Sequence, residues 1–110
     1  MQKSYPTTLP DLRTALTQAN SICIIEHVID LNNTTIYIAS NVVIRFEGGL
    51  IKDGTLFGNQ VGTPTVLEVG GYNYVFDNVV LDGWWRGYSS DLFPVALSET
   101  SRHPSQMSLF

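Results

Sequence analysis

The chain has 110 residues, of which 44% are hydrophobic and 15% charged, so it is a single domain with a small core and not a disordered tail. Ten acidic side chains against six basic ones leave a net charge of −4. That balance argues against nucleic acid and against an anionic membrane as partners, because both need a basic face.

The first expected element is a short helix over residues 8–19. Thr8 is placed to cap it with Asp11 three residues on, and Pro10 falls in the first turn, where a missing N–H costs little. Leu9, Leu12, Ala15, Leu16 and Ala19 form one apolar stripe, and Asn20-Ser21 ends the element. From Ile22 the period changes. Short apolar runs follow at Ile22–Ile25, Val28–Leu31, Ile36–Ile38, Val42–Phe46, Leu56-Phe57, Val66–Val69, Tyr74–Phe76 and Val79–Leu81. Between them stand turn pairs: Asn32-Asn33, Ser40-Asn41, Gly48-Gly49, Asp53-Gly54, Gly58-Asn59, Gly70-Gly71, Asp77-Asn78 and Asp82-Gly83. Alternation inside the runs is clean: Ile29 and Leu31 flank Asp30, Ile36 and Ile38 flank Tyr37, and Val42, Ile44 and Phe46 alternate with Val43, Arg45 and Glu47. One face of each strand is buried and the other wet.

Short strands with dense turns fit a small sandwich or barrel, or a β-solenoid. Turns only five to eight residues apart favour the solenoid, since hairpin sandwiches space theirs at about 8–12. The units Val28–Leu31, Val43–Phe46 and Val79–Asp82 look like one element reused at irregular spacing, which a stack of coils tolerates.

The run Ile36–Gly49, continuing through Leu50–Asn59, carries an apolar strand, Ser40-Asn41, a second strand ending in Phe46, then Glu47-Gly48-Gly49, Asp53-Gly54-Thr55 and Gly58-Asn59. With Phe76-Asp77-Asn78-Val79-Val80-Leu81-Asp82-Gly83-Trp84-Trp85, it resembles the first coils of right-handed parallel β-helices of the pectin-lyase-like superfamily. The likeness is nearest to the form found in gut Bacteroides surface proteins and in the tailspikes and tail fibres of phages that infect them. It covers about residues 8–86. The resemblance implies an all-β fold: a short right-handed parallel β-helix of about three coils, some 15 Å tall, behind an N-terminal capping α-helix. Residues 1–86 would form the cap and coils, and 87–110 a C-terminal tail or cap segment. Phe93, Val95, Leu97, Met107, Leu109 and Phe110 give that tail apolar groups to contribute.

The family includes polysaccharide lyases, glycoside hydrolases, tailspikes and non-catalytic adhesins, so the fold leaves activity open. Asp77 and Asp82 are the candidate acidic pair, with Glu47 and Asp53 in neighbouring turns; glycosidic acid–base work needs two carboxyls about 5–9 Å apart. The plainer reading makes these acids turn residues bonded to their own backbone. The calcium-binding acid cluster and arginine base of a pectate lyase are not matched, Arg45 and Arg86 being the arginines available in the coils. Trp84, Trp85, Tyr72, Tyr74 and Tyr88 are the glycan-contact candidates, through stacking of sugar faces on rings. Adjacent Trp84 and Trp85 must point to opposite faces, so only one can be core. His27, His103 and Cys23 have no partners at metal spacing, and Gly48-Gly49 and Gly70-Gly71 precede no helix as a phosphate loop would. No metal or cofactor is expected, and no catalytic residue is assigned.

The function expected on these grounds is a non-catalytic structural or attachment module of a phage virion or cell-surface β-helical protein, with contact to polysaccharide through its aromatics. Two alternatives stand beside it: the N-terminal part of a polysaccharide lyase or glycoside hydrolase whose catalytic coils lie elsewhere, and a stand-alone glycan-binding module. The far end of a three-coil stack presents open strand edges, so a homo-oligomer, a trimer for instance, or further coils would seal it. Membrane insertion is not expected, because no apolar run nears the roughly 18 residues of a span. Met1-Gln2-Lys3-Ser4-Tyr5-Pro6 contains no signal peptide, and Asn32-Asn33-Thr34 and Asn33-Thr34-Thr35 fit a glycosylation sequon.

Overall fold

Alternating side chains along each run can bury one face only if the runs close around a common interior. A computed structural model describes residues 1–59, 61, 63–69 and 75–87, and in it the chain winds as a β-solenoid of about four turns. In order, the elements are β1 (Gln2–Ser4), α1 (Leu9–Leu16), β2 (Ser21–Ile25), β3 (Val28–Asp30), β4 (Thr35–Tyr37), β5 (Val42–Phe46), β6 (Leu50–Gly58), β7 (Thr65–Glu68), β8 (Phe76–Gly83) and β9 (Trp85–Gly87). Every pairing is parallel. One sheet runs β1-β2-β5-β7-β9, while β3 and β4 both pair with β6, which pairs with β8.

That second sheet makes two walls out of long strands. β6 turns at Asp53 (φ 57°) and β8 at Asn78 (φ 58°), two residues that occupy the left-handed region at modest cost. Residues before the corner pair with β3 and residues after it with β4. The turns expected at Asp53-Gly54 and Asp77-Asn78 are therefore corners inside continuous strands, not breaks between separate ones. Gly54 is required at its corner, because a Cβ there would run into the Leu31 Cβ and sit 2.8 Å from both Leu31 Cδ1 and the Thr34 carbonyl oxygen.

Each inward position repeats one coil later, building apolar ladders: Cys23–Ile44–Leu67, Ile29–Ile51–Phe76 and Ile36–Leu56–Leu81. All nine side chains are buried, and the Phe46 and Phe76 rings meet edge-on across the interior at 5.3 Å. Polar ladders hold the corners. Asn41 Nδ2 donates to Asn20 Oδ1 at 2.8 Å, and Asn78 Nδ2 donates to Asp53 Oδ1 at 3.1 Å. At the second of these corners the Asn33 N–H also donates to the Asp53 carbonyl, at 2.8 Å.

The helix is shorter than residues 8–19. Thr8 Oγ1 accepts from the Asp11 N–H as expected, but the Thr17 hydroxyl and N–H both turn back onto the Arg13 carbonyl and end the helix at Leu16. Leu12, Ala15 and Leu16 are buried, whereas Ala19 is exposed. α1 touches β2, β3 and β4, all three walls of the first coil, and so lies across the end of the stack. β1, which has no apolar alternation, adds one more strand to the first wall beside it.

Candidate functional site

The alternation that fills the interior also decides which side chains reach solvent. Trp84 and Trp85 separate as adjacent strand residues must. Trp85 is completely buried, its Nε1 donating to the Asp82 carbonyl at 2.6 Å, so it is a core residue and not a glycan contact. Its indole lies against Gly58, where a Cβ would come within 2.8 Å of Nε1. Trp84 is 45% exposed. Tyr72, Tyr74 and Tyr88 lie outside the described residues, as does the tail beyond Gly87.

The corner at Asn78 lies between the two candidate acids. Asp77 is in register with Lys52 on the second wall, and Asp82 with Phe57 on the third. Asn78 turns the strand between them, so the two acids stand on different walls of the solenoid. Asp53 is engaged at its corner by Asn78 and by Lys52 Nζ at 3.7 Å. Arg45 donates Nε to Glu68 Oε1 at 2.7 Å, and that hydrogen bond together with the Glu68 charge raises the guanidinium pKa. A proton-abstracting arginine needs the opposite shift. Burial pushes the Cys23 thiol up to about 12, the reverse of an activated nucleophile. Among the described residues no three His, Cys, Asp or Glu side chains group as a metal site would.

What the walls do assemble is an aromatic ledge. Tyr37 on β4 and Phe57 on β6 are register partners with ring centroids 5.1 Å apart and planes tilted by 33°. Asp82 follows Phe57 in the same outward row. Tyr37 is 67% exposed, although both its neighbours, Ile36 and Ile38, are core. Beside the rings runs a groove of about 210 Å³ lined by Tyr37, Ile38, Phe57, Gly58, Asn59 and Val61. Asn59 is held rigidly, its Nδ2 donating to the Thr63 carbonyl at 2.8 Å and its N–H to Thr65 Oγ1 at 2.9 Å. Trp84 follows Gly83, the register partner of Gly58, which sets its backbone next to this groove.

Neither Tyr37 nor Phe57 was among the sequence candidates. Flanking core residues mark each ring as outward-facing, and their separation of 20 residues is one coil. Only the register shows that they meet.

No protein-family model, no curated protein and no solved structure matches the chain.

Proposed function

We infer that this chain is a non-catalytic structural and attachment module of a virion or cell-surface β-helical protein, meeting its target through the outer face of its third wall. The observation that carries the reading is the contrast between tied charges and an open ledge. Arg45 is held by Glu68, Asp53 by Asn78 and Lys52, and Asp77 and Asp82 stand on different walls. The Tyr37–Phe57 ledge, by contrast, presents rigid rings to solvent on hydrogen-bonded strands, and such rings lose little conformational freedom when they bind. The likeness of residues 36–59 and 76–85 to the coils of surface and tailspike β-helices supports the same setting.

The stack edge opposite α1 is a natural place for copies or further coils to join, so the module works as a homo-oligomer, a trimer in the simplest case. Two measurements test the reading. Incubating the chain with bacterial capsular and plant polysaccharides should release no reducing ends and form no unsaturated uronate; either product overturns it in favour of a lyase or hydrolase. Light scattering after size exclusion should give a multiple of 12.2 kDa. A monomer removes the assembly role and leaves a self-contained binding domain.

A further inference from the structure

Resting on the attachment reading, we propose that the third wall docks a proline-rich, basic segment of a partner protein, laid along the solenoid axis as a polyproline II helix. Tyr37 and Phe57 stack face against face, offset, with centroids 5.1 Å apart, so they offer a ligand a row of ring edges and the uncovered face of Tyr37. β4 pairs with β6 alone, and no further strand of the wall lies over that face. Beside the ring edges Gly58 has no side chain and Ile38 is buried, which gives the groove a shallow apolar floor with the exposed Val61 on its rim. Two donors border this floor. The Tyr37 O–H and the Trp84 Nε1–H reach no acceptor among the described residues, and both side chains are exposed, by 67% and 45%. They stand on coils two apart, Tyr37 in β4 and Trp84 at the end of β8, with β6 between them.

Spacing selects the ligand. Coils rise by about 4.8 Å, so two coils span about 9.6 Å. A polyproline II helix repeats every three residues at about 3.1 Å each, or about 9.3 Å. Carbonyls three residues apart on such a helix therefore come into line with both donors, and the pyrrolidine rings between them lie over the apolar floor. Proline supplies the acceptor these donors need and has no N–H of its own to leave unpaired there. Charge selects the flanking residue. No lysine or arginine lines the groove, and Asp82 follows Phe57 in the outward row, so a lysine or arginine beside the prolines meets an opposite charge. Other peptide shapes fit less well. β6 is paired on both sides, by β4 and β8, and leaves no free edge in the groove for an added strand. A helix of roughly 10–12 Å diameter is too wide to enter a groove of about 210 Å³. The polyproline helix is also formed before it binds, so little order is lost in docking it.

The test is amide and indole NMR on the full isotope-labelled chain, titrated with three synthetic peptides: hexaproline with an arginine at each end, hexaproline with a glutamate at each end, and an arginine-ended glycine-serine peptide of the same length. The first should give saturable shifts at Ile38, Phe57, Gly58 and Asn59 and move the Trp84 indole N–H. The glutamate-ended peptide should bind at least about fivefold more weakly, and the glycine-serine peptide at least about tenfold. Tyr37→Phe and Trp84→Phe each remove a donor and keep a ring, and should each weaken binding at least about threefold. Phe57→Ala, checked for native circular dichroism, should weaken it at least about tenfold. Asp82→Asn should erase the advantage of arginine over glutamate. The proposal is overturned if the arginine-ended hexaproline shifts none of these resonances, if the glycine-serine peptide binds as tightly, or if both donor variants bind as well as the parent. Shifts of the same amides on raising the concentration of the chain alone would put a second copy on this wall and overturn it too. A failure of any of these kinds without polysaccharide cleavage leaves the attachment reading standing; cleavage removes that reading whatever the titration shows.

Discussion

Two aromatic pairs of nearly equal ring spacing belong to this solenoid, one turned into its interior and one turned outward from its third wall. Phe46 and Phe76 meet inside at 5.3 Å, edge to face, and Tyr37 and Phe57 meet outside at 5.1 Å with their planes tilted by 33°. The inner pair is fully buried and spans two walls, so it joins the first sheet to the second. The outer pair is two coils of one wall stacked in register, with Tyr37 largely in water. A similar ring contact therefore serves two ends. Burial turns the inner pair into stability, and exposure leaves the outer pair with binding surface that folding has not consumed.

The comparison breaks most sharply inside. Phe46→Ala or Phe76→Ala should cost about 3–5 kcal/mol, a large part of the whole stability of a domain this size, read as a lowered urea midpoint by circular dichroism. An inner-ring variant with a near-parental midpoint would contradict the packing. The buried thiol comes next. Unfolded Cys23 loses its proton near 9.0 but folded Cys23 keeps it to about 12, so the unfolded state is favoured increasingly as pH rises between those values. Unfolding free energy should fall by about 1.4 kcal/mol per pH unit in that window, and Cys23→Val should flatten this part of the profile.

Gly58→Ala probes the wall itself, since Gly58 lies beside Phe57 on the outside and beneath Trp85 on the inside. The added methyl meets the Trp84 backbone and the Trp85 ring, and about 1–3 kcal/mol of stability should be lost, visible as a drop in Tm with changed tryptophan fluorescence. The smallest effect belongs to the ledge. Tyr37→Ala and Phe57→Ala should each change stability by no more than about 1 kcal/mol, with a coupling of at most about 0.5 kcal/mol in a double-mutant cycle. A larger cost would mean that the outer rings are part of the fold and not a surface held ready for a ligand.

The walls were legible in the sequence because burial has a period of two there. Ile44 and Phe46 against Arg45, or Ile36 and Ile38 against Tyr37, declare their faces without any structure. The corners were harder to read. Asp53-Gly54 and Asp77-Asn78 carry ordinary turn chemistry, and nothing local shows that the strand resumes on the next wall with its pairing intact. β1 was invisible, since Gln2-Lys3-Ser4 owes its extended form to the free edge of β2 and not to its own residues. The acidic pair looked plausible for a related reason: five residues in sequence hide a corner in space. The tryptophans could be sorted into one inside and one outside, but which was which depended on the space left by Gly58. The ledge needed the coil length, which sequence spacing alone leaves open between about 20 and 25 residues, as the partner pairs Thr35–Thr55 and Ile51–Phe76 show.

In the first wall, strand order and chain order coincide, from β1 through β2, β5 and β7 to β9, and α1 covers the coil that comes earliest. During synthesis each coil therefore emerges onto a neighbour that is already complete, with its hydrogen-bonding edge waiting and its apolar end partly covered. No strand of this wall has to wait for a partner made much later. Coil-by-coil folding on the ribosome becomes possible, and the surface exposed at any moment is limited to the latest edge.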